Sequence, residues 1–360
     1  MKKFVRPAVL IFVLFALGAC SSDPEPITEP ETPEISESEI EITEMEVPAG
    51  EEPEEILFLP PPEESLPVSG FREVWAYLLA GREDTLKPDM PLTDIGYFGA
   101  EIDYYGKLTD VPNRFKVRFG GRVHLVAACN SYSLTHFVLK ENSAEREALI
   151  RDLLDETRRF DGLQIDFENI PKRDGPAFRS FLAELRRGLG SKAFTIALPA
   201  RTRRIADDVF DYDRILPLVD RILVMAYDEH WSTSAPGPVA SLPWCKRVAE
   251  YALRTVGSEK LIMGLPFYGR AWGNTNPSKA YLYSGIEELK TRQEVRTVER
   301  ENGIPTFQYE IPVGVKVYYE DAYSLAVRME MYRDLGVKNI GFWRIGQETP
   351  EVWKLIRVEE

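Results

Sequence analysis

Asp166 and Glu168 stand two residues apart in the run Asp161-Gly162-Leu163-Gln164-Ile165-Asp166-Phe167-Glu168, the stretch of this chain best suited to chemistry. Side chains alternate along a strand, so Gln164, Asp166 and Glu168 share one face while Leu163, Ile165 and Phe167 share the other. Acids rarely occupy an inward face without a partner or a role. Two carboxyls that are close together and partly desolvated disfavour each other's charge. One pKa rises, and that group can serve as a general acid. A pair of solvated acids at a strand end is the plainer alternative.

Such a pair needs a frame that turns one strand face inward. Eight short apolar or β-branched runs supply candidates: Val74 to Leu79, Ile95 to Phe98, Val123 to Ala128, Gly162 to Phe167, Phe194 to Leu198, Ile222 to Ala226, Leu261 to Leu265 and Ile340 to Trp343. Segments of helical period lie between them. Asn142 with Glu145 reads as a capping box ahead of Leu149, Ile150, Leu153, Leu154 and Phe160, and Asp174 can cap a helix burying Phe178, Phe181, Leu182, Leu185 and Leu189. Pro243 to Val256 and Asp321 to Leu335 are further helical candidates. Eight strands alternating with helices match the α/β class and a (β/α)8 TIM barrel, with a doubly wound sheet as the alternative. Residues 274–317 are too long for a simple connection, so a small α+β insertion is expected between strands seven and eight. In a barrel, Asp166 and Glu168 would lie near the C-terminal end of the fourth strand, where such enzymes react their substrates.

Taken together, these residues resemble glycoside hydrolase family 18, whose signature on the fourth strand is D-x-x-D-x-D-x-E. Asp161, Asp166 and Glu168 match it, and Gln164 replaces the middle aspartate. Met225-Ala226-Tyr227-Asp228 is similar to the family's M-x-Y-D, Leu265-Pro266-Phe267-Tyr268-Gly269-Arg270 to its P-F-Y-G-R, and Trp343 to its strand-eight tryptophan. The segments Tyr227 to Trp231 and Ala235 to Ala240 resemble the spore-cortex-lytic, peptidoglycan-directed branch, whose members usually carry an amide at the Gln164 position. The serine and paired glycines of the chitinases' third strand are missing from Val123 to Asn130.

The resemblance implies a retaining glycosidase in which Glu168 protonates the glycosidic oxygen and the substrate's 2-acetamido carbonyl is the nucleophile. It further implies that Asp166 orients the acetamido group, Tyr227 holds its oxygen and Asp228 supports the sugar or that network. Trp343, flanked by Tyr77, Tyr268 and Met225, would form the apolar floor. Trp231 and Trp272 would stack on outlying sugars, and Gln164 would tune Asp166. Asp161 reads as structural, because it opens the strand at the far end from Glu168. The expected partner is an N-acetylglucosamine-containing glycan, peptidoglycan or chitin-like, with no cofactor and no metal. A non-catalytic glycan-binding protein and a chitinase or N-glycan-cleaving enzyme are the rivals.

Composition limits the remaining possibilities. The 360 residues are 44% hydrophobic and 28% charged, enough for a substantial core. A formal net charge of −14 excludes a general nucleic-acid binder with a basic face. The negative charge is concentrated in residues 21–70, which hold sixteen Asp or Glu, ten prolines and no Lys or Arg. That composition predicts an extended, solvated tether, with Ile56-Leu57-Phe58-Leu59 as its one apolar patch. Residues 71–360 are close to neutral and form the expected catalytic domain.

Residues 1–20 read as an export signal: Lys2, Lys3 and Arg6 precede an apolar run from Ala8 to Ala16. Leu17-Gly18-Ala19-Cys20 resembles the lipobox of bacterial lipoproteins, which implies acylation of Cys20 and a membrane-anchored protein, periplasmic or on the cell surface. An ordinary secretory signal that contains a cysteine is the alternative. Cys129 and Cys245 read as two separately buried thiols. His124, His136 and His230 show no metal-ligand spacing.

Overall fold

The computed structural model describes residues 66–273, 279–311 and 313–359. Cys20, the export signal and the Ile56–Leu59 patch lie outside these residues. Seven barrel strands come first: β1 (Glu73–Leu79), β2 (Asp94–Ile102), β3 (Arg122–Cys129), β4 (Gly162–Phe167), β5 (Ala193–Pro199), β6 (Arg221–Met225) and β7 (Leu261–Pro266). A second group, β8 (Tyr268–Gly273), β9 (Lys279–Leu282), β10 (Glu299–Glu301), β11 (Ile304–Ile311) and β12 (Val313–Tyr318), precedes β13 (Asn339–Trp343). β1 to β7 pair in parallel and in sequence order, β13 pairs with β7 and β1, and β1 pairs with β2, so the sheet closes on itself. All eight expected strands are present, and the fold is a (β/α)8 barrel.

The barrel forms because alternation sorts each strand into two sets. In β4, Leu163, Ile165 and Phe167 join the outer core, where Phe167 stacks on Phe178 and Phe181 at 6.4 and 5.8 Å. The inner set holds Trp75, Tyr77, Val126, Ala197, Leu223 and Ile262, with Phe98, Met225 and Trp343 packed against it. Five of the outer helices are α1 (Tyr132–Leu139), α2 (Ala144–Thr157), α3 (Gly175–Leu189), α4 (Leu242–Val256) and α6 (Ala322–Asp334); α5 (Tyr283–Arg292) belongs to the added sheet. All five apolar residues expected on the α3 face are buried.

Local details correct several expectations. The cap of α2 is Ser143, whose side chain accepts from Arg146 N, while Asn142 sits in the left-handed turn before it at φ 59°. Asp174 occupies the N-cap position of α3 but makes no capping bond, because its carboxylate meets His136 Nδ1 at 2.8 Å. α1 is a helix that periodicity missed; Ser131 caps it, accepting from Leu134 N. Residues 66–70 belong to the folded domain rather than the tether, since Leu66 is buried and Ser69–Phe71 pairs with Ile356–Val358. The added sheet has the order β9-β8-β12-β11-β10, is antiparallel throughout, and begins at Tyr268 rather than 274. Both Cys129 and Cys245 are free and buried, and burial pushes each thiol up to about 11.

An ionic network closes the N-terminal end of the barrel. Asp94 accepts from Arg122 at 2.7 and 2.9 Å and meets His124 Nε2 at 2.7 Å; Glu73 accepts from Arg221 at 2.8 Å and from Trp75 Nε1 at 3.0 Å. Burial alone would raise both carboxyls, but these bonds outweigh it and hold each below its usual range. Depressed folded-state values mean that the stabilisation is complete above about pH 4, the unfolded range, and is lost as pH falls through the folded-state pKa. Asp94→Asn should therefore lower stability at pH 7 by about 2–3 kcal/mol and flatten the acid limb of a urea-denaturation series.

Candidate active site

The C-terminal ends of β4, β6, β7 and β13 assemble the site. Asp166 is 6% exposed, and its Oδ1 is buried without a hydrogen-bond partner. Burial, and after it the charge of Glu168, raises its pKa well above the usual carboxylate range. Glu168 lies one step further out at the mouth, exposed to solvent but with protein around much of its carboxyl. Burial, then the charge of Asp228, raises its pKa as well. The two acids thus share the inner face of one strand, as alternation requires, and each stays protonated at a higher pH than a free carboxyl would.

Tyr227 faces both acids. Burial raises its hydroxyl pKa far above normal, and Tyr77, Asp166, Tyr268 and Glu168 add to the shift, so the phenol remains a neutral donor. Gly264 on β7 gives its ring room: a Cβ there would meet Tyr227 Cε1 at 2.9 Å. Asp228 takes φ 57°, in the left-handed region that aspartate tolerates. It accepts from Tyr268 Oη at 2.5 Å and from Arg270 Nη2 at 3.1 Å. Both donors come from β8, so the added sheet fixes this acid beside the barrel mouth.

The floor is aromatic. Trp343 lies 5.1 Å from the Tyr77 ring and meets Phe98 edge-on at 5.0 Å, with Met225 partly buried in the same cluster. Tyr77 is 2% exposed and donates to Gln164 Oε1, so it supports this floor from below. Gln164 is fully buried, and its Nε2 donates to Thr195 Oγ1 at 3.0 Å. Its bonds thus go to Tyr77 of β1 and to Thr195, its register partner on the neighbouring strand β5, not to the expected Asp166. Trp231 is 51% exposed on the turn after β6, available as a platform. Trp272 is not: it is 5% exposed, packed edge-on against Tyr318 at 5.9 Å. Alternation along β8 turns it away from the face where Ala271 joins the insertion's core and sets it beside the Tyr318 ring of the neighbouring strand β12.

Asp161 lies at the opposite end of β4, accepting from Val123 N at 2.8 Å, in keeping with its structural reading. Three residues of this neighbourhood carry no expectation from sequence: Thr195, Phe98 and Asn169, whose amide donates to Asn130 beside Glu168; Arg270 stood in the P-F-Y-G-R match without a role. Thr195 and Phe98 were detectable as inward positions of their strands. Nothing in the sequence signals the Asn169 contact. Among the described residues no group of three or more His, Cys, Asp or Glu is arranged to hold a metal ion.

A closed parallel barrel with paired acids, a half-buried tyrosine and an aromatic floor at its C-terminal mouth defines a glycoside-hydrolase barrel. Residues 128–348 match the family model of Glycosyl hydrolases family 18, and the chain belongs to that family. It is 33% identical over 242 residues to YdhD of Bacillus subtilis (strain 168), whose name assigns it provisionally as a sporulation-specific glycosylase; the match covers 62% of this chain and 57% of YdhD. The cortical fragment-lytic enzyme of Bacillus anthracis is 24% identical over 291 residues, covering 74% of this chain and 67% of that one. Among solved structures, the Bacillus cereus spore cortex-lytic enzyme SleL has the same fold, with a TM-score of 0.72 at 22% identity over 80% of this chain and 74% of SleL. The chain thus spans little more than half the length of YdhD.

Proposed function

We infer that this protein is a retaining glycosidase that hydrolyses β-1,4 bonds on the reducing side of N-acetylglucosamine, in peptidoglycan or its fragments. One observation carries the reading: the buried Asp166 oxygen without a partner, on the same strand face as Glu168. A buried acceptor left unpaired is costly and calls for a donor. An acetamido N–H entering over Trp343 supplies it. Asp166 then orients the acetamido carbonyl under the anomeric carbon and stabilises the developing oxazolinium charge. Tyr227 donates to the acetamido oxygen. Glu168 gives its proton to the leaving oxygen and afterwards takes one from the attacking water, with net retention. Asp228 is held by Tyr268 and Arg270 and serves this network; it is not the nucleophile.

Digestion of purified sacculi and of chito-oligosaccharides, with products identified by mass spectrometry, tests the assignment. New N-acetylglucosamine reducing ends from sacculi are expected. Binding without cleavage of either glycan would favour a lectin, and cleavage of chito-oligosaccharides alone a chitinase. Cys20 is proposed to anchor the protein to a membrane, in the periplasm or at the cell surface. Labelling of cells with an alkyne fatty acid should tag the wild-type chain, and the tag should vanish in Cys20→Ala.

A further inference from the structure

The turns that follow β1 and β13 carry Arg82 and Arg344. These strands are paired neighbours, with Val74 opposite Ile340, and their inward rings, Tyr77 and Trp343, form one side of the pocket. The turns touch each other: Ile345 N donates to Tyr77 O at 3.0 Å, and a Cβ on Gly346 would meet Thr85 at 3.0 Å. Arg82 is exposed and Arg344 half-buried. Among the described residues neither guanidinium donates a hydrogen bond or makes an ion pair.

The nearby acids are already engaged. Glu83 accepts from Tyr97 Oη and from Gly81 N at 3.0 Å. Glu348 accepts from Gly346 N at 2.6 Å, Gln347 N at 2.9 Å and Trp353 Nε1 at 3.2 Å. Burial, then the charge of Arg82, pushes the Arg344 pKa down, and Glu348 offsets this only in part. Two adjacent like charges, one of them incompletely hydrated, are relieved by an anion. The planar guanidinium fork fits a carboxylate in particular.

We propose that Arg82 and Arg344 form a carboxylate-binding subsite at the barrel mouth, which receives an acidic substituent of the bound glycan. The subsite rests on the glycosidase reading above and narrows its substrate to an acidic amino-sugar polymer. In peptidoglycan the carboxylate has two sources. Strands stripped of peptide expose the lactyl ether carboxylate, whereas in intact strands that group is amide-linked and the charge lies on the stem peptide.

The test compares kcat/KM on stripped strands, peptide-bearing strands and a neutral chito-oligosaccharide for the wild type, Arg82→Gln and Arg344→Gln. The acidic-to-neutral ratio should fall about tenfold or more in Arg344→Gln and several-fold in Arg82→Gln, whose exposed side chain can be lost without disturbing packing. Added salt should lower the wild-type ratio and leave that of the double variant flat. A loss confined to stripped strands identifies the lactyl carboxylate, and one confined to peptide-bearing strands the stem. An unchanged ratio in both variants overturns the subsite. If the wild type cleaves none of the three, the glycosidase reading fails, and the same ratios measured as Kd decide the subsite independently.

Discussion

Glu168→Gln should reduce turnover by about 10²-fold or more while leaving glycan affinity within a few-fold of wild type. The substitution keeps the size and hydrogen-bonding shape of the side chain but removes its titratable proton. Burial and the charge of Asp228 raise the Glu168 pKa, so the wild-type group keeps its proton to a higher pH than a free glutamate does. Without that proton the glycosidic oxygen must depart as an alkoxide. The deficit should therefore depend on the leaving group: large for a natural sugar and much smaller for an aryl glycoside whose phenolate departs unaided. Steady-state kinetics on both substrates, with calorimetric Kd values for the variant, check this. Equal turnover of variant and wild type on the natural glycan would remove Glu168 from its role.

A glycan whose 2-acetamido group is replaced by an amine should react at least about 10³-fold more slowly than its acetylated counterpart, because the replacement removes the positioned nucleophile. Among the described residues, the other two acids of this site are not free to take over: Asp228 is tied to Tyr268 and Arg270, and Asp166 is buried. Asp166→Asn provides the internal control. It should be severe on the acetylated substrate and nearly silent on the deacetylated one, since the interaction it disrupts is already gone there. Comparable hydrolysis of both glycans by the wild type would replace the substrate-assisted route with a protein nucleophile.

Much of the frame was legible because it follows from strand period. The inward set Gln164, Asp166 and Glu168, the outward set Leu163, Ile165 and Phe167, and all eight barrel strands follow from alternation and run length. The α3 face was equally clear, since five apolar residues recur at helical spacing. Caps were less so. Ser143 and Asn142 are both good capping residues, and the choice turned on which took the left-handed turn. The added sheet was misread at its start because Tyr268–Gly273 follows β7 after one residue, and its antiparallel partners lie far along the chain.

By itself, the sequence determined which side chains of the fourth strand share a face, and so that Asp166 and Glu168 stand together; the place of Tyr227 beside them was legible only through the family resemblance. Period is a local property, fixed by the backbone geometry of consecutive residues. Only the tertiary structure decided the partnerships: Gln164 with Tyr77 and Thr195, Asp228 with Tyr268 and Arg270, Trp272 sealed against Tyr318, and Arg82 near Arg344. Those pairs come from strands far apart in sequence, and which of them touch depends on the register in which the sheet closes, set by the packing of the whole core.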